Sequence, residues 1–108
     1  MELGMVGLGR MGGNMVARLR SAGHTVVGYD ANPDVSEVKS LADLVAGLTA
    51  SPRVVWVMVP VQFLDGVLDD LAPLLTEGDI VIDGGNTKWT GDAGRAEKLG
   101  KRGVHFID

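Results

Sequence analysis

Three glycines and one acid suggest the chemistry open to this chain. Gly7-Leu8-Gly9-Arg10-Met11-Gly12 has the spacing G-x-G-x-x-G. In that pattern the first glycine makes a tight turn, the second lets backbone approach a pyrophosphate, and the third lets a helix pack closely on a strand. A helix starting there would aim its free N–H groups and the positive end of its dipole at an anion. Asp30 follows about twenty residues later, the distance at which an acid accepts hydrogen bonds from the hydroxyls of an adenosine ribose. The pattern predicts a dinucleotide site. A carboxylate there repels a 2′-phosphate, and Ala31 offers no guanidinium to neutralise one, so NAD is expected ahead of NADP. Asp30 also reads as a turn residue paired with Asn32, and the two roles are compatible. Arg10 and Lys39 stay open as phosphate partners.

A second candidate is Asp83-Gly84-Gly85-Asn86. At a strand's C-terminal end, where open α/β sheets hold ligands, paired glycines let backbone pass close to a bound group, and Asn86 offers a donor and an acceptor to a ribose or substrate. The same residues also fit a helix-capping turn with Asn86 as N-cap. His24 reads as a capping or solvent residue. His105, if buried, reads as a neutral core histidine, and no metal-ligand cluster surrounds it. Met5, Met11, Met15 and Met58 read as core packing, with Met11 also within reach of a cofactor. Asp69-Asp70 reads as the solvated face of a helix.

Positioning these groups requires alternating strands and helices. Glu2 to Val6 is a short apolar run ending at Gly7, and the spacing of Met11, Met15, Leu19 and Ala22 predicts a helix closed by Gly23. Thr25 to Asp30 is β-branched and ends in the turn Asn32-Pro33-Asp34, completing a βαβ unit. Ser40-Leu41-Ala42-Asp43 resembles a capping box opening a helix through Leu48. Strand Val54 to Val59 stops at Pro60. Leu64, Val67, Leu68, Leu71 and Leu75 then mark an amphipathic helix that Pro73 ends or kinks. A strand is expected at Asp79 to Asp83, a weaker helix at Asn86 to Arg102, and a last strand at Val104 to Asp108.

This alternation predicts one α/β domain over residues 1–108, a Rossmann-type, mostly parallel sheet with helices on both faces. Between Ala31 and Ser36 there is no room for a crossover of about a dozen residues. The sheet is therefore expected to be reduced around the usual second helix and third strand, the latter missing or irregularly paired.

Composition narrows the class. The chain has 108 residues, 14 acidic and 10 basic, with a net charge of −4, and lacks the basic stripe that nucleic-acid binding requires. The longest apolar run, Val54 to Val61, falls short of the 18 or so residues that span a bilayer. Absent cysteine and the lack of an export signal suit a cytoplasmic protein.

On the glycine turn with Asn14 and Leu19, the chain resembles the coenzyme domain of the β-hydroxyacid dehydrogenases. Asp83-Gly84-Gly85-Asn86 with Thr87 is similar to the 6-phosphogluconate dehydrogenase family, and Arg53 to Pro60 and His105-Phe106-Ile107-Asp108 resemble its NAD-linked branch. The resemblance covers the whole chain. It implies oxidation of 6-phosphogluconate by hydride transfer and decarboxylation to ribulose 5-phosphate. It also implies a pyrophosphate at the glycine turn, the adenosine ribose at Asp30 to Asn32, a cofactor lined by Val59, Pro60 and Val61, and Asn86 between nicotinamide ribose and substrate. That family's helical domain, with its catalytic lysine and glutamate, has no counterpart here. This stretch alone is therefore expected to bind cofactor, to meet 6-phosphogluconate only together with that domain, and to turn over nothing. Two alternatives are a non-catalytic NAD(H)-sensing module and another β-hydroxyacid dehydrogenase. Self-association through an unpaired last strand or exposed helix faces is a further expectation.

Overall fold

The computed structural model describes residues 1–84 and 92–107. Five strands, β1 (Glu2–Val6), β2 (Thr25–Tyr29), β3 (Val54–Val57), β4 (Ile80–Asp83) and β5 (His105–Ile107), alternate with four helices. These are α1 (Arg10–Ser21), α2 (Leu41–Ala46), α3 (Val61–Leu71) and α4 (Asp92–Gly100). All strand pairs are parallel, in the order β2-β1-β3-β4-β5.

Local chemistry sets the element ends. Gly23, at φ 92°, turns the chain out of α1. The Ser40 hydroxyl accepts the Asp43 N–H at 3.1 Å and starts α2, which stops two residues before the expected Leu48. After α3, Pro73 lies in a single 3-10 turn, Ala72–Leu74, as its missing N–H and ring sterics dictate. The expected helix from Asn86 is described only over Asp92–Gly100.

Connection handedness places the layers. The step from β1 to β2 and the step from β2 back past β1 to β3 run in opposite directions, so right-handed crossovers put α1 and α2 on opposite faces. Leu44, Val45, Leu64, Leu68, Leu71 and Leu99, from α2, α3 and α4, pack with Val6, Val55, Val57 and Val81 of the sheet. On the other face Val16, Met15 and Leu19 of α1 cover Leu3, Met5, Val26 and Val54. Met11 departs from the expected core packing: it sits in the first turn of α1, beyond the sheet edge, and is 69% exposed. His105 is exposed as well.

The reduction foreseen after Asn32 is present. Among the described residues β2 is an edge strand, and residues 31–40 form turns and bends where a helix and strand would otherwise stand.

Candidate functional site

Reversal of the strand order at β1 and β3 opens a crevice beyond their C-terminal ends, the place where open α/β sheets take ligands. The glycine turn lies at its mouth. Gly7 has φ +99°, and a Cβ there would stand 2.5 Å from the Met58 carbonyl oxygen. A Cβ on Gly12 would stand 1.9 Å from the Gly7 carbonyl oxygen, so the turn and α1 touch backbone to backbone. Gly9 is different: among the described residues no atom lies within 4 Å of where its Cβ would be. Packing accounts for Gly7 and Gly12, while the empty cradle at Gly9 fits a group approaching from outside.

Helix α1 presents its N-terminus to this cradle. Gly9 is the N-cap, no side chain caps the first turn, and that turn holds no acid. The first helical bond is Gly13 N–H to Gly9 O at 2.8 Å, which leaves the N–H groups of Arg10, Met11 and Gly12 without intrahelical partners.

Asp30 lies just past β2. Its Oδ2 accepts the Leu8 N–H at 2.7 Å and its Oδ1 accepts the Asn32 N–H at 2.8 Å. The acid thus holds both the glycine turn and its own turn. Each oxygen keeps a second lone pair for a hydroxyl donor.

A cavity of about 580 Å³ joins these features. Of the residues singled out from sequence, Gly7, Gly9, Asp30, Ala31, Val59 and Pro60 line it. Leu8 and Gly12 shape the turn behind it, whereas Arg10 and Met11 are exposed on the first turn of α1. The Asn32 side chain accepts the Asp34 N–H at 3.0 Å, and Val61 is 45% exposed at the start of α3. Asn86, with Gly85, Thr87 and Lys88, lies outside the described residues.

Sequence reasoning missed the opposite wall. Phe63, Gly66, Val67 and Asp70 line the cavity from α3 at helical spacing, facing Leu41 of α2. Their i, i+3, i+4, i+7 pattern was available in the sequence, but the neighbouring Leu64, Leu68 and Leu71 stripe dominates it. Among the described residues the charged groups on the lining, Asp30 and Asp70, are acids, and no Lys or Arg lines the cavity. Among the described residues no His, Cys, Asp or Glu cluster could hold a metal, and no helix is long and apolar enough to cross a membrane.

A parallel doubly wound sheet, a glycine turn feeding a helix N-terminus and an acid at the end of the second strand together define a dinucleotide-binding domain of the Rossmann type. A family model for the NAD binding domain of 6-phosphogluconate dehydrogenase matches residues 2–108, and the chain belongs to that family. It is 42% identical, over 107 residues, to the NAD(+)-dependent, decarboxylating 6-phosphogluconate dehydrogenase of Haloferax volcanii, a match covering 90% of this chain and 36% of that protein. A Bacillus subtilis protein, YqeC, itself proposed to be a 6-phosphogluconate dehydrogenase, is 37% identical over 117 residues, covering 100% of this chain and 39% of its own length. The chain thus spans less than half the length of these relatives. In fold it is similar to Plasmodium falciparum 6-phosphogluconate dehydrogenase, with a TM-score of 0.89 at 22% identity, over 98% of this chain and 26% of that one. The Plasmodium enzyme is described with NADP+ as its cofactor, and the Haloferax relative is named for NAD+. Family membership therefore admits either dinucleotide.

Proposed function

We propose that this chain is the coenzyme domain of an NAD-linked, decarboxylating 6-phosphogluconate dehydrogenase. The observation that carries the choice of NAD is the charge around the cavity: among the described residues Asp30 and Asp70 line it without a cation. A 2′-phosphate would meet the Asp30 carboxylate with no positive partner among the described lining residues, whereas a ribose diol finds acceptors on both of its oxygens.

In this reading the cradle at Gly9 and the N–H groups of Arg10, Met11 and Gly12 hold the pyrophosphate. Asp30, Ala31 and Asn32 take the adenosine ribose, while Val59, Pro60 and Val61 border the nicotinamide side. Contacts to nicotinamide ribose and substrate are assigned to Asn86. When bound, the dinucleotide supplies a hydride acceptor. The residues of this chain bind and orient it. Accepting the proton of the substrate hydroxyl and placing 6-phosphogluconate fall to groups outside the ones named here, so this stretch by itself binds without turnover. The working compartment in this reading is the cytoplasm.

Parallel calorimetric titration with NAD and NADP, followed by 6-phosphogluconate, tests the proposal. Binding of NAD at least tenfold tighter than NADP is the expected result, about 1.4 kcal/mol of discrimination. Equal affinities would overturn the assignment of NAD, and failure of the folded protein to bind either at millimolar concentration would overturn the coenzyme reading itself.

A further inference from the structure

Beyond the cavity, the outer edge of β2 is closed by side chains. A strand edge normally exposes a row of unpaired backbone groups. Here the Val26 carbonyl accepts Arg20 Nη2 at 2.7 Å. The Gly28 N–H donates to Glu37 Oε1 at 2.9 Å, and the Gly28 carbonyl accepts the Glu37 N–H at 3.1 Å. The Asp30 N–H donates to the Ser36 hydroxyl oxygen at 3.0 Å, and that hydroxyl donates to the Val38 carbonyl at 2.6 Å. Arg20 Nη2 and Glu37 Oε1 are themselves 2.6 Å apart, tying α1 to the loop. These contacts occupy, residue for residue, the positions a neighbouring strand would pair.

The clamp also touches the glycine turn. A Cβ at Gly28 would lie 3.0 Å from Glu37 Oε1 and 3.1 Å from the Leu8 side chain, so the glycine lets both close on β2 from either side. Leu8 is the residue whose N–H is held by Asp30. We infer that Glu37 and Ser36 are positioning residues: they stand in for the absent third strand and set the end of β2 so that Asp30 faces the adenosine ribose. This rests on reading the cavity as a dinucleotide site.

The test begins with the unchanged protein, whose binding of NAD stands or falls with the coenzyme reading alone. Given binding, Glu37→Ala is expected to weaken NAD about tenfold while changing NADP less, because a displaced Asp30 loses both its attraction for the diol and its exclusion of the phosphate. Glu37→Gln, which keeps an acceptor for Gly28, should restore most of the NAD to NADP ratio. Ser36→Ala removes the hydroxyl's bonds to the Asp30 N–H and the Val38 carbonyl and covers the case in which Glu37→Ala does not fold. It should speed exchange of the Asp30 amide and lower the same ratio. A purely structural clamp gives the opposite pattern: melting temperatures fall in the variants that fold, while NAD affinity and the NAD to NADP ratio stay within twofold. That result overturns the inference.

Discussion

Leu8 and Asp30, 22 positions apart, are joined by a hydrogen bond of 2.7 Å from the Leu8 N–H to Asp30 Oδ2. One carboxylate therefore fixes the shape of the glycine turn and presents its remaining lone pairs to the cavity. Asp30→Ala leaves the Leu8 and Asn32 N–H groups without their acceptor, an expected cost of about 1 to 2 kcal/mol at this partly exposed site. NAD affinity should fall more than tenfold, and the preference over NADP should vanish. Thermal melts and paired titrations read the two effects separately. An Asp30→Ala protein that still prefers NAD would assign the discrimination elsewhere.

The glycines of the turn separate folding from binding. Gly9→Ala adds a methyl into space that no atom of the described residues occupies, so the melting temperature should hardly change while dinucleotide affinity drops at least tenfold. Gly12→Ala drives its methyl to 1.9 Å from the Gly7 oxygen, and the strain of such overpacking, about 1 to 3 kcal/mol or more, should appear in a denaturant melt without any ligand. If Gly9→Ala binds as well as the unchanged protein, the cradle is not a pyrophosphate site.

Much of this arrangement is legible in sequence, and the exceptions share a cause. The spacing of Gly7, Gly9, Gly12 and Asp30 marks the βαβ unit because each element has its own periodicity and its own stop. The shortage after Asn32 follows from counting residues. What replaces the missing strand does not follow, because Glu37 and Arg20 pair with backbone through single side chains that leave no periodic trace. The α3 wall was hidden for a related reason. That helix has two apolar faces, Leu64, Leu68 and Leu71 toward the sheet and Phe63 and Val67 toward the cavity, and a single-stripe reading assigns the second to core or solvent. Met11 misled in the other direction, since helical spacing continues into a first turn that projects past the sheet.

Acid should destabilise the domain through its held carboxylates. At Asp79, 2% exposed, burial raises the carboxyl pKa and is the largest single influence. The N–H groups of Thr76 and Arg53, together with the Arg53 charge, outweigh it and hold the group below its ordinary 3.8. At Glu37 the Arg20 hydrogen bond, the largest influence, lowers the pKa. A depressed folded pKa contributes stability above the unfolded value and loses it as pH falls through the folded one. Stability should thus be flat near neutrality and fall below about pH 4. Asp79→Asn should lower stability at pH 7 by about 2 to 3 kcal/mol, allowing for the partial exposure of Arg53, and flatten the acid limb. Urea melts from pH 7 to pH 2 check both, and an unchanged acid limb in Asp79→Asn would shift the effect to other carboxylates.

Gly66 offers a way to close the site without touching the turn or the acid. It lies on the cavity wall within α3, between Phe63 and Val67, and among the described residues no atom stands within 4 Å of its would-be Cβ. Nothing in the backbone there calls for glycine, and in mid-helix it costs about 0.5 to 1 kcal/mol relative to alanine. Gly66→Ala should therefore raise the melting temperature and leave dinucleotide affinity nearly intact. Gly66→Leu has the same helical benefit but projects a branched side chain into the space facing Leu41, so it should stay folded and lose NAD affinity at least tenfold. Both variants together locate the adenosine end by volume alone. If Gly66→Leu binds NAD normally, the ligand does not run along α3, and the lining assigned to Phe63, Val67 and Asp70 would have to be abandoned.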